Sequence, residues 1–151
     1  MAIGLGVIGC SGRIRDVISC ITGMGKQFRG VAVCDSDERA IRSAREAYGE
    51  AVRIHATPRT LDHDTEVEWV FIGSWNCCRR AHAVAVLEAG KHVFCEKPPA
   101  TTLDDCLAMR AARDKSKRLA LPESAVAGMH TPVGGMPVEA DAALLFTRAP
   151  V

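Results

Sequence analysis

Apolar runs of strand length alternate with amphipathic stretches of helical length along most of the chain. Ile3 to Ile8 is a short apolar run, and beyond it Ile14, Val17, Ile18 and Ile21 fall at i, i+3, i+4 and i+7. That stripe predicts an amphipathic helix from Arg13 to about Phe28. Residues 30–35, GVAVCD, have the pattern of a buried strand. Asp37 to Tyr48 reads as a charged helix with Ala40, Ile41, Ala44 and Ala47 inward, and Gly49 suits a left-handed stop. Val52 to Ala56 is a weaker strand, followed by a polar loop from Thr57. The strongest strand signal is VEWVFIG, Val67 to Gly73. Arg79 to Ala89 reads as a helix stopped by Gly90, and His92 to Cys95 as the next strand. Thr102 caps a further helix, with Asp104 and Asp105 in the first turn where negative charge suits the helix dipole. Leu119 to Leu121 makes a last short strand.

Strands that are apolar on both faces, each followed by a helix, argue for a parallel sheet covered on both sides. Right-handed crossovers then give a doubly wound α/β domain whose ligand site lies at the carboxyl ends of the strands. From Glu123 the period is lost among Gly, Pro, Met and Ala, and only Ala142 to Phe146 suggests a brief element. The expectation is one domain over residues 1–122 and an irregular tail over 123–151.

Composition narrows this little further. The 151 residues suffice for one packed domain, and a formal net charge of +1 gives no electrostatic reason for a nucleic-acid or anionic-membrane partner. No apolar run approaches the roughly 18 residues of a membrane span. The N-terminus lacks the basic lead of a secretory signal, so the reading is a reduced, cytoplasmic protein. Seven cysteines with no C-x-x-C spacing are read as buried structural thiols, with no metal site expected. The vicinal Cys77–Cys78 pair is the exception to inspect for thiol chemistry.

Residues 4–9, GLGVIG, match the letters G-x-G-x-x-G of a dinucleotide-binding turn. Such a turn must follow a strand and open a helix. Here it would leave only three residues of strand before it and place Val7 and Ile8 in the loop. The later register, Gly9-Cys10-Ser11-Gly12-Arg13-Ile14, follows a full strand and precedes the amphipathic stripe. It puts Ser11 where the second glycine would approach the pyrophosphate, and Ile14 where the third allows close helix–strand packing. Ile14 should push the helix away from the sheet unless the packing adapts, while the Ser11 hydroxyl could donate to a phosphate. Arg13 adds positive charge beside a helix N-terminus that favours anions. On these letters alone a tight turn without a ligand fits equally well.

Asp35 closes the second strand 26 residues after Gly9, where a carboxylate would accept from the adenine ribose hydroxyls. An acid there favours NAD, although Ser36 and Arg39 could accommodate a 2′-phosphate, so NADP stays open. The rival reading is that Asp35-Ser36-Asp37 only caps the following helix.

LEAGKHVFCEKPPA at 87–100, with GSWN at 73–76 and VAVCD at 31–35, closely resembles the Gfo/Idh/MocA family, the glucose–fructose oxidoreductases, inositol dehydrogenases and their relatives. The resemblance covers residues 3 to about 121, the family's Rossmann-type nucleotide-binding domain. It implies that Lys97 of the E-K-P segment is catalytic, assisting proton transfer from the sugar hydroxyl being oxidised. Burial and a nearby cationic ring would lower its pKa for that task. Glu96 and Pro98 would shape the pocket, and Ser74, Trp75 and Asn76 would line the nicotinamide side. The set expected to hold the dinucleotide is therefore Gly9, Ser11, Gly12, Arg13, Ile14, Asp35, Ser74, Trp75, Asn76, Glu96, Lys97 and Pro98.

Two departures stand out. The family usually has Thr-Pro-Asn where this chain has Ser74-Trp75-Asn76, and a His where this chain has Arg79; His82, one turn later, reads as a surface residue. Relatives also continue into a second α/β domain that supplies the substrate pocket, and residues 123–151 cannot hold it. The expectation is a truncated or spliced form, or one completed by another chain, that is, an NAD(P)-binding domain with half an active site. A polyol or sugar substrate enters only if a second domain is supplied. The alternative is a non-catalytic nucleotide-binding or protein-interaction module that self-associates through the surface left bare. An S-adenosylmethionine-dependent methyltransferase shares the first turn and acid, but E-K-P after the fifth strand speaks against it.

Overall fold

The computed structural model describes residues 2–23, 25 and 27–122. The expected irregular tail, 123–151, lies outside the described residues. Six parallel strands form one sheet in the order β3-β2-β1-β4-β5-β6. They are β1 (Ile3–Ile8), β2 (Phe28–Cys34), β3 (Arg53–Ile54), β4 (Trp69–Ile72), β5 (His92–Cys95) and β6 (Ala120–Pro122). The helices between them are α1 (Gly12–Gly23), α2 (Glu38–Tyr48), α3 (Pro58–Asp62), α4 (Asn76–Glu88) and α5 (Leu103–Ser116). The chain builds outward from β1 to β3, then returns to build the other way from β4. The order reverses between β1 and β4, and a crevice opens there at the carboxyl edge.

Period-two alternation divides the core. Leu5, Val7, Val33, Phe71 and Phe94 pack with Ile14, Ile18 and Ala44 of α1 and α2 on one face. Ile8, Ala32, Val70, Ile72 and Val93 pack with Leu61, Ala83, Val86, Leu87 and Met109 of α3 to α5 on the other. Burying both faces is why these strands are apolar throughout rather than alternating. Phe71 and Phe94 stack across β4 and β5 with ring centroids 4.9 Å apart.

The perfect glycine motif is explained by this packing. Gly4 and Gly6 belong to β1 and face the segment that leads into β4. A Cβ on Gly4 would fall within 1.7 Å of the Glu66 carbonyl oxygen, and one on Gly6 within 2.9 Å of Val67 Cγ1. Their service is close backbone approach inside the sheet layer.

Several boundaries differ from the sequence reading. The first helix ends at Gly23 and Phe28 already begins β2, because the apolar stripe stops at Ile21. The polar loop from Thr57 contains α3, whose first turn the Thr57 hydroxyl caps by accepting from the Thr60 amide at 3.3 Å. Helix α4 starts at Asn76 rather than Arg79. Gly49 ends α2 at φ 95°, ψ 158°, a positive φ without the left-handed helical ψ. Thr102 caps α5 as expected, accepting from the Asp105 amide at 3.1 Å.

Candidate functional site

β1 ends at Ile8 and the chain turns at Gly9, where φ is +81°. A Cβ at this position would lie 2.4 Å from the Ser74 amide nitrogen. The turn therefore needs glycine twice over, for its dihedral and for the approach of the loop after β4. The Ser11 hydroxyl caps α1 by accepting from the Ile14 amide at 3.3 Å, and it lies 3.5 Å from Glu96 Oε2, to which it donates. It is thus already engaged within the protein rather than standing free for a phosphate.

Ile14 does not push α1 from the sheet. Its side chain is fully buried, and the room for it comes from Gly73, where a Cβ would lie 2.5 Å from Ile14 Cγ1. The space that a glycine on the helix would have left is left instead by a glycine at the end of β4.

Asp35 follows β2 and joins the two turns. Its Oδ2 accepts from the Cys10 amide at 2.6 Å and its Oδ1 from the Asp37 amide at 2.9 Å. Between Asp35 and the Lys97–Pro98 segment runs an open cleft of about 760 Å³ along the carboxyl edge. Of the residues expected at the site, Gly9, Ser11, Asp35, Ser74, Trp75, Asn76, Lys97 and Pro98 line this cleft. Gly12, Arg13, Ile14 and Glu96 do not. Gly12 and Arg13 are exposed on the first turn of α1, Ile14 turns into the core, and Glu96 lies behind the wall.

Glu96 is held there by charge. Its carboxylate lies 3.9 Å from Arg13 Nε and 3.6 Å from Arg79 Nη2, with its side chain only 15% exposed. Arg79 was the residue least legible in the sequence. Its guanidinium is buried and donates through Nε to the Ser74 carbonyl at 2.8 Å. Through Nη1 it donates to the carbonyls of Glu96 at 3.1 Å and Pro98 at 2.7 Å. One planar fork thus fastens the loop after β4 to the loop after β5, the two walls at the Lys97 end of the cleft.

His82 is not a surface residue as read. It is half-buried, lines the cleft, and shares a 2.9 Å hydrogen bond between its Nδ1 and Ser74 Oγ. Burial lowers its pKa from the usual histidine value. No local pattern marks either residue, because their partners come from other loops.

Lys97 is exposed in this chain, so the expected burial is not supplied by the described residues. The Lys97–Pro98 peptide bond is cis. Trp75, just before α4, is 81% exposed on the cleft rim. The cysteines divide rather than sharing one fate: Cys10, Cys34 and Cys95 are buried, whereas Cys20 and Cys77 are exposed and Cys78 and Cys106 lie between. Burial pushes the Cys10 thiol up to about 12 and that of Cys34 to about 11. Among the described residues no helix is long and apolar enough to cross a membrane.

Residues 3–123 match the Gfo/Idh/MocA family model, described as an oxidoreductase family with an NAD-binding Rossmann fold. Inositol 2-dehydrogenase 2 of Saccharopolyspora erythraea is 40% identical over 119 residues, which are 78% of this chain and 34% of that protein. An inositol 2-dehydrogenase/D-chiro-inositol 3-dehydrogenase of Shouchella clausii is 35% identical over 71% of this chain and 31% of its own length. The chain thus spans about a third of the curated relatives it matches. Among solved structures, the WlbA dehydrogenase of Chromobacterium violaceum, in complex with NADH and UDP-GlcNAcA, superposes with a TM-score of 0.73 at 26% identity. That match covers 80% of this chain and 34% of the other.

Proposed function

Because the chain belongs to the Gfo/Idh/MocA oxidoreductase family and carries its NAD-binding Rossmann domain, we propose that the cleft from Asp35 to Lys97 holds NAD and presents its nicotinamide beside Lys97. The observation that supports this best is the convergence of Gly9, Asp35, Ser74 and Lys97, from four strand ends, on one cleft. The fit is good at the adenine end. Asp35 uses each carboxylate oxygen once on a backbone amide, and both keep lone pairs for ribose hydroxyls. The bare Cα of Gly9 leaves the turn close to the cleft wall.

The bound cofactor would supply hydride acceptance. Lys97 Nζ would take the proton that must leave the hydroxyl being oxidised, and Ser74, Trp75 and Asn76 would line the nicotinamide side. By analogy with the inositol dehydrogenases, the substrate would be a polyol or sugar, held against Lys97 by a further domain that also buries it. Alone, the domain would bind cofactor weakly and turn over little. NADP remains the less favoured cofactor because of Asp35. A cytoplasmic setting suits its free thiols.

Titration with NADH, followed by nicotinamide fluorescence, tests the reading. Saturable binding is expected, weakened at least tenfold in Asp35→Ala, and no binding at millimolar cofactor would refute it. Lys97→Met should spare binding and abolish any turnover. A second reading, an interaction module, draws on the 81% exposure of Trp75 and the 67% exposure of Leu103. Light scattering showing a monomer at all concentrations would count against it.

A further inference from the structure

Cys77 and Cys78 stand in the first turn of α4 with their sulfurs 3.8 Å apart. Cys77 is exposed, and Cys78 contributes to the wall of the cleft. Adjacent Cα atoms are held at ~3.8 Å by a trans peptide, below the ~4.4–6.8 Å that disulfides usually span. The Cys78 amide is also committed to the Trp75 carbonyl at 2.8 Å, which keeps this turn closed. Direct S–S bonding would have to distort the helix start. A single atom placed between the sulfurs needs no such change, since two bonds then bridge a gap the side chains already present.

We propose that Cys77 and Cys78 form a chelating dithiol site for a trivalent organoarsenical, and that its occupancy obstructs the cleft at the Trp75–Asn76 wall. In the reaction an arsenoxide, R–As=O, gains two As–S bonds. The two thiol protons leave with its oxygen as one water, and arsenic stays trivalent, so no oxidant is required. The remaining cysteines do not compete. Cys10, Cys34 and Cys95 are buried and held protonated by that burial. Cys20 and Cys106 lie on different helices, α1 and α5.

The obstruction rests on the nucleotide reading given above, whereas the adduct does not. The test uses the full chain with phenylarsine oxide, read by intact mass and then by NADH titration. One phenylarsine per chain is expected, retained in excess 2-mercaptoethanol and released by 2,3-dimercaptopropanol. Cys77→Ser and Cys78→Ser should each lose it, and Cys20→Ser and Cys106→Ser should keep it. The adduct should weaken NADH binding at least tenfold. Absence of the adduct, or its persistence in either Cys77→Ser or Cys78→Ser, overturns the site, and unchanged NADH affinity overturns the obstruction. If the unmodified chain fails to bind NADH, the nucleotide reading and the obstruction fall together, while the mass arm still decides the site.

Discussion

Replacing Arg79 by Leu should do more damage than any change at the exposed motif residues. The substitution removes three hydrogen bonds from one guanidinium, to the carbonyls of Ser74, Glu96 and Pro98, and the 3.6 Å ion pair with Glu96. Hydrogen bonds to a charged group are worth roughly 1.5–3 kcal/mol each, so the gross loss is about 4–9 kcal/mol. Part of it is recovered, because carbonyls at a cleft rim regain water and Glu96 keeps Arg13. Removing one partner of a buried ion pair typically costs about 3–5 kcal/mol. The net expectation is about 3 kcal/mol, roughly a hundredfold in the folding equilibrium. In urea, with a slope of about 2 kcal/mol/M, the midpoint should fall by about 1.5 M at unchanged slope. Arg79→Lys should recover less than half, since one ammonium cannot serve three carbonyls in a plane. A loss below about 0.5 kcal/mol in Arg79→Leu would refute the claim that this side chain fastens the two loops.

Three further outcomes follow from the same geometry. Asp62 is buried, and loss of solvation pushes its carboxyl up to about 6, against the opposing pull of His63 and Lys91. The folded state therefore binds the proton more tightly than the unfolded one, and stability should fall as pH rises from about 4 to 6, then level off. Asp62→Asn should gain about 2 kcal/mol at pH 7.5 and nothing near pH 4, as measured by urea melts at both pH values. Gly9→Ala should cost more than about 2 kcal/mol, because φ is positive and backbone lies 2.4 Å from the new carbon. Gly12→Ala meets nothing nearer than 3.6 Å and should change the thermal midpoint little. Gly73→Ala should destabilise by displacing both Ile14 and the Gly9 carbonyl, 2.5 and 2.6 Å from the added carbon. Ile14→Ala in that background should return only part of the loss.

The fold was largely legible because its strands are buried on both faces, and VAVC, WVFI and HVFC need no tertiary information to be recognised. Helix α3 was not legible. It is five residues long and buries only Leu61 and Asp62, too little for any period to show. The choice of the imperfect GCSGRI over GLGVIG was legible from strand length and from where the apolar stripe starts. The reason for the Gly4 and Gly6 letters was not, since it lies in Glu66 and Val67 on another segment. Ile14 looked like a defect for the same reason: its compensation, Gly73, is 59 residues away. Arg79 and His82 escaped because a buried arginine is identified by the carbonyls around it, and those are set by the loops after β4 and β5.

The fastening of those loops by Arg79 bears on rates. A lid that must close over its ligand gives a slow phase that saturates with concentration. Here both walls at the Lys97 end are tied through a side chain only 8% exposed. No closure step is therefore expected of them on encounter. Stopped-flow mixing with NADH should therefore give one exponential whose rate rises linearly with cofactor from an intercept set by dissociation. In Arg79→Leu a second, concentration-independent phase should emerge as the freed loops search for each other.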